Sequence, residues 1–275
     1  MTQRGALLEK TGIELLFSPN ELEAQRGHIV EFIEEMVADA GADGVVIGLS
    51  GGIDSTTVAY LAVEALGSDS VHGLALPSSV NPDDDETDAE RVATTLGIEY
   101  NTIEINPIVD AFVAAAPQHA VEDRMALGNV RVRTRAVLNY FVANAESRLV
   151  LGTGNRSEAA TGYFTKFGDQ AVDCNPIGNL YKCQVRQLAR SLDVPEDLVT
   201  RTPTAAMWEG QTDEAEMGLG YDELDAILAL HIHGPLSKNA TVETLELTED
   251  VVDRVVELYE QSAHKRAMPP APKPL

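Results

Sequence analysis

Cysteine is scarce in this 275-residue chain, and so are aromatic residues, lysine and long apolar runs. The two cysteines, Cys174 and Cys183, form no Cys-x-x-Cys pair and leave no metal-ligand spacing, which argues against a disulfide scaffold. We interpret both as small buried or half-buried residues. No run approaches the ~18 apolar residues of a membrane-spanning helix, and the first residues lack the apolar core of a signal peptide. We therefore expect a soluble, cytoplasmic protein.

Positive charge is also scarce, since 20 Lys and Arg face 44 Asp and Glu, for a net charge of -24. Such a surface repels nucleic acid and acidic membranes, so we expect neither as a partner. Acid-rich, lysine-poor surfaces suit concentrated salt, where screening weakens self-repulsion, and we hypothesise a halophilic source. The charge is uneven: residues 124–190 contain ten Lys or Arg and four Asp or Glu, a balance of +6. We expect an anion to bind in this segment.

The other residues are arranged around the stretch from Val45 to Ser55, where an apolar run leads through two glycines into a helical pattern. Residues 45–49 are aliphatic without alternation, which is typical of a parallel strand covered on both faces. Gly51 and Gly52 allow a sharp turn that brings backbone N–H groups close to an anion. The N-terminus of the following helix points its free N–H groups and positive dipole end to the same place. The stretch predicts a phosphate-binding turn.

The residues of this turn narrow the type of phosphate loop. Neither the Gly-Lys-Ser/Thr ending of a Walker loop nor the Gly-x-Gly-x-x-Gly dinucleotide fingerprint is present. The sequence Ser-Gly-Gly-Ile-Asp-Ser at 50–55 instead resembles the pyrophosphate loop of the ATP pyrophosphatases, which cleave ATP between its α and β phosphates. Asp54 suits a Mg²⁺ ligand beside phosphates. The alternative, that Asp54 and Ser55 only cap the helix, leaves the preceding serine and glycines unexplained.

Hydrophobic periodicity predicts an alternation of helices and strands. A helix over 20–39, with Asn20 as its N-cap, precedes the first strand, and later strands fall at 71–76, 99–105 and 148–151 with helices between them. The helix before the last of these strands is predicted to open at Gly128 and Asn129 and to run to about Asn144. This order implies an α/β fold with a doubly wound parallel sheet flanked by helices, and ligands at the carboxyl ends of the strands. His72 alternates within the second strand and is interpreted as structural, and the acidic run at 81–90 as a solvated helix start rather than a cation site.

Later segments make the resemblance more specific, because together they look like NAD synthetase over about residues 20 to 267. The most distinctive are Gly-Thr-Gly-x-x-Ser-Glu at 152–158 and Thr-Gly-Tyr-Phe-Thr-Lys-Phe-Gly-Asp at 161–169. The similarity continues in these segments: 129–135, 175–176, 180–182, 202–205, 220–225 and 264–266. The resemblance implies a Rossmann-like, adenine nucleotide alpha hydrolase-like fold. We expect residues 1–267 to form a single domain, followed by a disordered proline-rich tail at 268–275.

The resemblance also implies an activity. Members of this family use ATP to adenylate the nicotinic acid carboxylate of deamido-NAD, with loss of pyrophosphate, and ammonia then displaces AMP. The 43 residues before Gly44 contain no cysteine, whereas glutamine hydrolysis normally needs a nucleophilic cysteine in its own domain. We therefore expect free ammonia, or ammonia from a partner, as the nitrogen donor. The family also implies a homodimer.

Matching positions give the expected site residues. By resemblance, Asp54 and Glu158 would bind Mg²⁺ and carry catalysis together with Lys182. ATP would be held by a set of residues at strand ends and turns: Gly48, Leu49, Ser50, Gly51, Gly52, Ile53, Asp54, Ser55, Thr153, Lys182 and Thr204. Deamido-NAD would be held by five polar residues from the second half of the chain: Arg133, Lys166, Asp173, His264 and Lys265.

Other readings of the sequence stay open at this stage. The three arginines within 131–135 favour anion binding, although a solvated basic helix face is the alternative. Another adenylating enzyme of the superfamily, either GMP synthetase-like or tRNA-thiolating, is the second hypothesis, although thiolation should show reactive cysteines and a basic RNA surface. A catalytically inactive nucleotide-binding regulator is the third. Glu158 and Lys182 argue against it, because a binder needs neither a metal ligand nor a cation for the leaving group. The polar segment 207–219 is predicted to be a mobile loop over the site.

Overall fold

The computed structural model describes residues 15–80, 83–205, 207–208 and 210–272. The acidic run predicted at 81–90 lies partly outside the described residues, because residues 81–82 and the side chains of 83–86 do not belong to them. The last three residues of the proline-rich tail also lie outside.

Four parallel strands form one sheet, as the sequence predicts. They are β1 (Val45–Gly48), β2 (Val71–Ala75), β3 (Glu99–Thr102) and β4 (Leu149–Leu151). Their order across the sheet is β3-β2-β1-β4, so β1 is central, with Val45 paired to Val71 on one side and to Leu149 on the other. The phosphate-binding turn after β1 therefore lies at the carboxyl edge of the sheet, between the ends of β2 and β4.

Thirteen α-helices are found among the described residues. They are α1 (Pro19–Ala40), α2 (Ile53–Leu66), α3 (Asp83–Leu96), α4 (Asn106–Ala115), α5 (Gln118–Val121), α6 (Arg124–Ala145), α7 (Arg156–Thr161), α8 (Lys182–Ser191), α9 (Glu196–Val199), α10 (Asp213–Met217), α11 (Tyr221–Ile227), α12 (Lys238–Leu245) and α13 (Glu249–Gln261). A π-helical turn follows α11 at Leu228–Ile232, and 3₁₀ turns occur at Ser68–Ser70 and Ala263–Lys265. None of the helices in the described ranges is both long and apolar enough to cross a lipid bilayer.

Helices cover both faces of the sheet, and alternate residues of β1 point to opposite faces. Val45 and Ile47 pack with Ile33 of α1, with α2 and with α8. Val46 packs on the other face with Val150 and with the α4 and α6 side. A third apolar cluster joins α7 to α10–α13 and fixes these C-terminal helices beside the end of β4. The doubly wound arrangement is confirmed.

Three local predictions are wrong in detail. The N-cap of α1 is Ser18 rather than Asn20, since Ser18 and Glu21 form a capping box and Pro19 fits the first helical turn. Helix α6 begins at Arg124 instead of Gly128, because the Asp123 carboxylate accepts the Ala126 N–H at 2.9 Å. The segment 207–219 is not a continuous loop, because Thr212 caps the short helix α10 within it.

Candidate active site

The turn after β1 is built to present backbone N–H groups to an anion. Gly51 adopts a φ of +72°, in the left-handed region that favours glycine. Gly52 is the N-cap of α2, and no side chain caps this helix. The Ser55 hydroxyl accepts the Ser50 N–H at 3.2 Å and donates to the Gly52 carbonyl at 3.1 Å, which holds the turn closed. The alternative in which Asp54 and Ser55 serve only as caps does not match this geometry.

A buried lysine joins two carboxylates that are far apart in the sequence. Lys182, at the start of α8, is 2% exposed. Its Nζ donates to Asp54 Oδ2 at the start of α2 and lies 3.4 Å from Glu158 Oε1 of α7. Asn155 Nδ2 donates to the other Asp54 oxygen at 3.0 Å. The structure thus brings together the three residues predicted to carry catalysis.

Burial and charge oppose one another in this cluster. Burial by itself would lower the pKa of Lys182, but the facing carboxylates of Asp54 and Glu158 outweigh it and raise that pKa. Burial also raises the pKa of Glu158, the nearby negative charge of Asp54 adds to this rise, and the Lys182 ammonium counteracts part of it. The lysine therefore stays protonated and partly neutralises two half-buried acids. Additional positive charge brought by a cation would be stabilised here.

A third carboxylate stands behind this pair. The Tyr221 hydroxyl donates to Asp213 Oδ2 at 2.9 Å and lies 3.5 Å from Glu158 Oε1. Asp213 is 4% exposed, and its other oxygen, Oδ1, is buried without a hydrogen-bond partner. Lys182 Nζ also lies 5.1 Å from the centre of the Tyr221 ring, a cation–π distance. The cluster therefore has spare acceptor capacity for a cationic ligand.

The helix starts that carry Glu158 and Lys182 are joined by a buried hydrogen-bond network. Asn155 caps α7 through a capping box whose N3 residue is Glu158. The Ser157 hydroxyl accepts the Lys182 N–H at 3.0 Å and donates to Asp225 of α11. This network therefore fixes the distance between the start of α7, which carries Glu158, and the start of α8, which carries Lys182.

A cavity of about 550 Å³ opens over this cluster at the carboxyl edge of the sheet. Most of the predicted ATP-binding residues line it: Gly48, Leu49, Ser50, Gly52, Ile53, Asp54, Ser55, Thr153, Lys182 and Thr204. Glu158 also lines the cavity, whereas Gly51 does not. The size and lining are those of a pocket for a small organic ligand.

The residues predicted for the second substrate are divided between two places. Of these five, only Lys265 lines the cavity, and its Nζ donates to the carbonyls of Gly162 and Phe164 at 2.7 and 2.8 Å. Arg133 donates to the Lys166 carbonyl at 3.1 Å, and Lys166 Nζ donates to the His264 carbonyl at 2.8 Å. Arg133 and the His264 carbonyl thus hold the loop 162–169 through Lys166, outside the cavity.

Asp173, the remaining residue predicted to hold deamido-NAD, has other partners than Arg133, Lys166 and His264. Its carboxylate accepts the Val150 N–H at 2.7 Å and the Tyr140 hydroxyl at 3.1 Å. It therefore anchors the segment that follows the loop to β4 and α6. It does not line the cavity.

The three arginines of α6 do not form a uniformly solvated face. Arg135 donates to the Leu76 carbonyl at 2.8 Å and Arg131 to the Met207 carbonyl at 3.2 Å. Both are half-buried, and Arg135 lines the cavity, whereas Arg133 is exposed. The basic segment thus contributes one arginine of the three directly to the cavity.

Sequence reasoning assigned no role to these other cavity residues: Asn129, Asn139, Arg201, Asp213 and Glu216. Arg201 directly precedes the Thr-Pro-Thr run at 202–204, which resembles NAD synthetase, so its place in the sequence could have marked it as a cavity residue. Asp213 was hidden in the segment interpreted as a loop. Asn139 lies in the interior of α6 with a buried, unpartnered Oδ1, and no motif in the sequence distinguishes it.

His72 is held within the fold as the sequence interpretation proposed. Its ring nitrogens lie 2.9 Å from Glu146 Oε1 and 2.9 Å from Asn101 Oδ1. The residue is 2% exposed and does not line the cavity.

Comparison with known proteins agrees with this geometry. The family model described as NAD synthase matches residues 26–269. An NH(3)-dependent NAD(+) synthetase of Halobacterium salinarum is 58% identical over 260 residues, covering 94% of this chain and 97% of the relative.

Two solved structures resemble the chain over nearly its whole length. The NMN synthetase of Francisella tularensis has a TM-score of 0.80 and 38% identity, covering 93% of this chain and 99% of the other. The NH3-dependent NAD synthetase of Campylobacter jejuni has a TM-score of 0.77 and 30% identity, covering 92% of this chain and 99% of the other. Matched over most of its residues and with the cavity and charge cluster described above, the chain belongs to the NAD synthase family.

Proposed function

We propose that this protein catalyses the ATP-dependent amidation of deamido-NAD to NAD with ammonia, through an adenylated intermediate, releasing AMP and pyrophosphate. The observation that carries the proposal is the buried Lys182 between Asp54 and Glu158, at the end of a pyrophosphate-type turn. Membership of the NAD synthase family supports the substrates. A regulator that only binds nucleotide would gain nothing from burying a lysine between two half-buried acids at this point, because such burial costs free energy.

The chemistry explains why such a cluster is needed. A carboxylate is a poor electrophile because its negative charge repels nucleophiles, whereas an acyl adenylate carries a good leaving group. The enzyme must therefore hold two anionic substrates close together and neutralise the charge that builds on the departing pyrophosphate. The uncapped N-terminus of α2 and the Gly51–Gly52 turn would hold phosphate oxygens. Lys182 would place its ammonium where that charge develops.

The residues present fit Mg²⁺. The donors are hard carboxylate oxygens from Asp54 and Glu158, and the unpartnered Oδ1 of buried Asp213 adds acceptor capacity nearby. Asp54 and Glu158 would hold the ion, and when bound it would neutralise charge on the phosphates. Lys182 meanwhile keeps the two carboxylates oriented, and Asn155 fixes the remaining Asp54 oxygen at 3.0 Å.

The second substrate would enter from the loop side of the cavity. Asn129, Phe164, Thr165 and Lys265 line that side. Arg133 and His264 hold the same loop through Lys166. These three residues would bind deamido-NAD directly after a loop movement or support the loop from behind. Asp173 would act through its anchoring of the segment to β4.

A mononucleotide is the second candidate substrate, and one observation favours considering it. The Francisella tularensis relative with a TM-score of 0.80 is described as an NMN synthetase. Nicotinic acid mononucleotide carries the same carboxylate as deamido-NAD but lacks the adenylyl half. Deamido-NAD is therefore the larger substrate and would occupy more of the loop side of the cavity than the mononucleotide would.

A homodimer in the cytoplasm is part of the proposal, with residues 1–267 acting as one domain. Helix α6 displays Val137 and Phe141 one turn apart, 67% and 73% exposed, and Phe112 of the neighbouring helix α4 is also exposed. Large apolar side chains grouped on one face are typical of a protein interface. Arg133 lies one turn before Val137 on the same stripe, which would place the second-substrate loop near the contact between protomers.

The deciding experiment incubates the purified protein in high salt with ATP, Mg²⁺, ammonium and either deamido-NAD or nicotinic acid mononucleotide. NAD, NMN and AMP are quantified together, with glutamine replacing ammonium in a parallel sample. Equal NAD and AMP, with little product from the mononucleotide, supports the proposal, and Asp54→Asn and Glu158→Gln should then each raise the Mg²⁺ concentration for half-maximal rate. Preferential NMN formation would favour the second candidate, and AMP without either amide would overturn the substrate assignment.

A further inference from the structure

The cavity divides into a charged end and an apolar end on either side of β1. Asp54 meets Glu158 and Lys182 on the side of β4, so the charged end lies there. On the side of β2 the lining is apolar: Gly48, Leu74, Ala75, Leu76 and Leu198. Because a nucleotide bound at the turn directs its phosphates to the charged end, its base must point toward β2.

One arginine near this apolar end, Arg201, has no role in the reaction proposed above. Arg201 follows α9, lines the cavity and has a side chain 31% exposed. Its Nη2 donates to Asp88 Oδ2 of α3, a residue 8% exposed. Helix α3 follows β2 and packs against it through Ala89, Val92 and Ala93. Arg201 is therefore held from the β2 side of the sheet.

The ion pair is part of a longer chain of charges. Asp88 Oδ1 lies 3.1 Å from Arg91 Nη2, and the same Arg91 nitrogen donates to Asp197 Oδ2 of α9 at 2.6 Å. The chain Arg201–Asp88–Arg91–Asp197 thus ties α3 to the segment that carries Arg201. Ordering an arginine in this way before the ligand arrives reduces the entropy lost on binding.

We propose that the guanidinium of Arg201 stacks on the purine base of ATP, with Asp88 holding it in position. This rests on the proposed function, in that ATP is the nucleotide. The guanidinium is planar and stacks on aromatic faces, whereas the apolar residues opposite it offer only dispersion contacts. Arg135, the other arginine at this end, is already bound to the Leu76 carbonyl and shapes the end of β2.

The test compares two probes that differ only in the nucleoside. Calorimetric titration with Mg·ATP and with Mg·tripolyphosphate, without the second substrate, separates contacts to the nucleoside from contacts to the phosphates. Arg201→Ala and Arg201→Lys should each weaken ATP about tenfold and leave tripolyphosphate within about twofold. Arg201→Lys is decisive because it keeps the positive charge and removes the planar guanidinium group that would stack on the base.

Two further variants complete the experiment. Asp88→Asn keeps the guanidinium but removes its anchor, so it should weaken ATP by a smaller factor than Arg201→Lys. Arg190→Lys alters an exposed arginine that pairs with Glu196 at 2.9 Å outside the cavity, and serves as the matched control. Thermal melting confirms that each variant is folded.

Unchanged ATP affinity in Arg201→Lys would overturn stacking, and equal weakening of ATP and tripolyphosphate would assign Arg201 to phosphate instead. If Arg201→Ala does not fold, Arg201→Lys and Asp88→Asn still decide the question. Absence of amide product in the unaltered protein would count against the proposed function. Normal turnover by the unaltered protein, together with unchanged ATP affinity in Arg201→Lys, would contradict the role proposed for Arg201 and leave the proposed function in place.

Discussion

Asp225 of α11 accepts the backbone N–H of Cys183 at 2.8 Å, in the first turn of the helix that carries Lys182. The same carboxylate accepts the Ser157 hydroxyl, which lies beside Glu158. One buried acid therefore satisfies donors at the starts of two helices and sets the distance between Glu158 and Lys182, two of the residues proposed to carry catalysis. The third apolar cluster, which contains α11, is in this way coupled to the chemistry.

The first prediction concerns the pH dependence of stability at Asp225. Burial raises the pKa of Asp225 to about 6, although its hydrogen bonds from Ser157 and Cys183 oppose the rise. Because this pKa exceeds the unfolded value of about 3.9, the folded state holds the proton more tightly. The resulting stability is fully present below about pH 4 and is lost as the pH rises through about 6.

Urea unfolding of the wild type and of Asp225→Asn measures this effect. The asparagine does not titrate, so the wild-type advantage in free energy of unfolding should shrink by about 1 kcal/mol between pH 5 and pH 7. Asp222→Asn on the same helix, where the carboxylate is partly exposed, is the control. A difference that stays constant over this pH range would contradict the prediction.

The second prediction concerns Lys182. Replacing it with methionine keeps the length of the side chain but leaves Asp54 and Glu158 without their shared cation. We expect kcat to fall by about 10²-fold or more, because a positioned charge on the leaving group is lost. Rapid-quench measurement of AMP formation checks this, with Lys238→Met as control, since that lysine is partly exposed and pairs with Asp253 at 2.8 Å. More than a tenth of the wild-type kcat in Lys182→Met would rule out the assigned role.

The third prediction concerns the apolar stripe of α6. Phe141 is 73% exposed, and a charge placed there would be buried in any contact between two copies of the stripe. Sedimentation should give twice the chain mass for the wild type and the single chain mass for Phe141→Asp. Met268→Asp tests an apolar side chain that is 86% exposed outside the stripe, and it should remain dimeric. A wild type that sediments as a single chain at micromolar concentration would exclude the dimer.

The fourth prediction concerns salt. A net charge of -24 on 275 residues makes the folded chain repel itself, and added salt screens that repulsion. The melting temperature should therefore rise steeply between low salt and molar NaCl, most strongly in the range where the screening length becomes shorter than the spacing of the charges. A melting temperature that does not respond to NaCl would remove the support for a halophilic source.

Much of the fold could be predicted because its signals are local. The unbroken apolar run at 45–49, the two glycines and the helical spacing after them predicted β1, the turn and α2 from residues adjacent in the chain. Two helix starts were predicted at the wrong residue because capping depends on side-chain geometry, so Ser18 and Asp123 were overlooked in favour of Asn20 and Gly128. Helix α10 was missed because five residues with one cap give a weak periodic signal.

The sequence by itself determined the order of strands and helices and the turn after β1, and it led us to propose Asp54, Glu158 and Lys182 as residues for charge chemistry. Only the tertiary structure decided that these three share one buried cluster and that Asp213 and Arg201 line the same cavity. The physical reason is that periodicity and glycine placement act over a few residues, whereas an ion pair such as Asp54 with Lys182 spans 128 positions. Such pairs depend on how α2, α7 and α8 pack together, and neither residue type nor spacing records that packing.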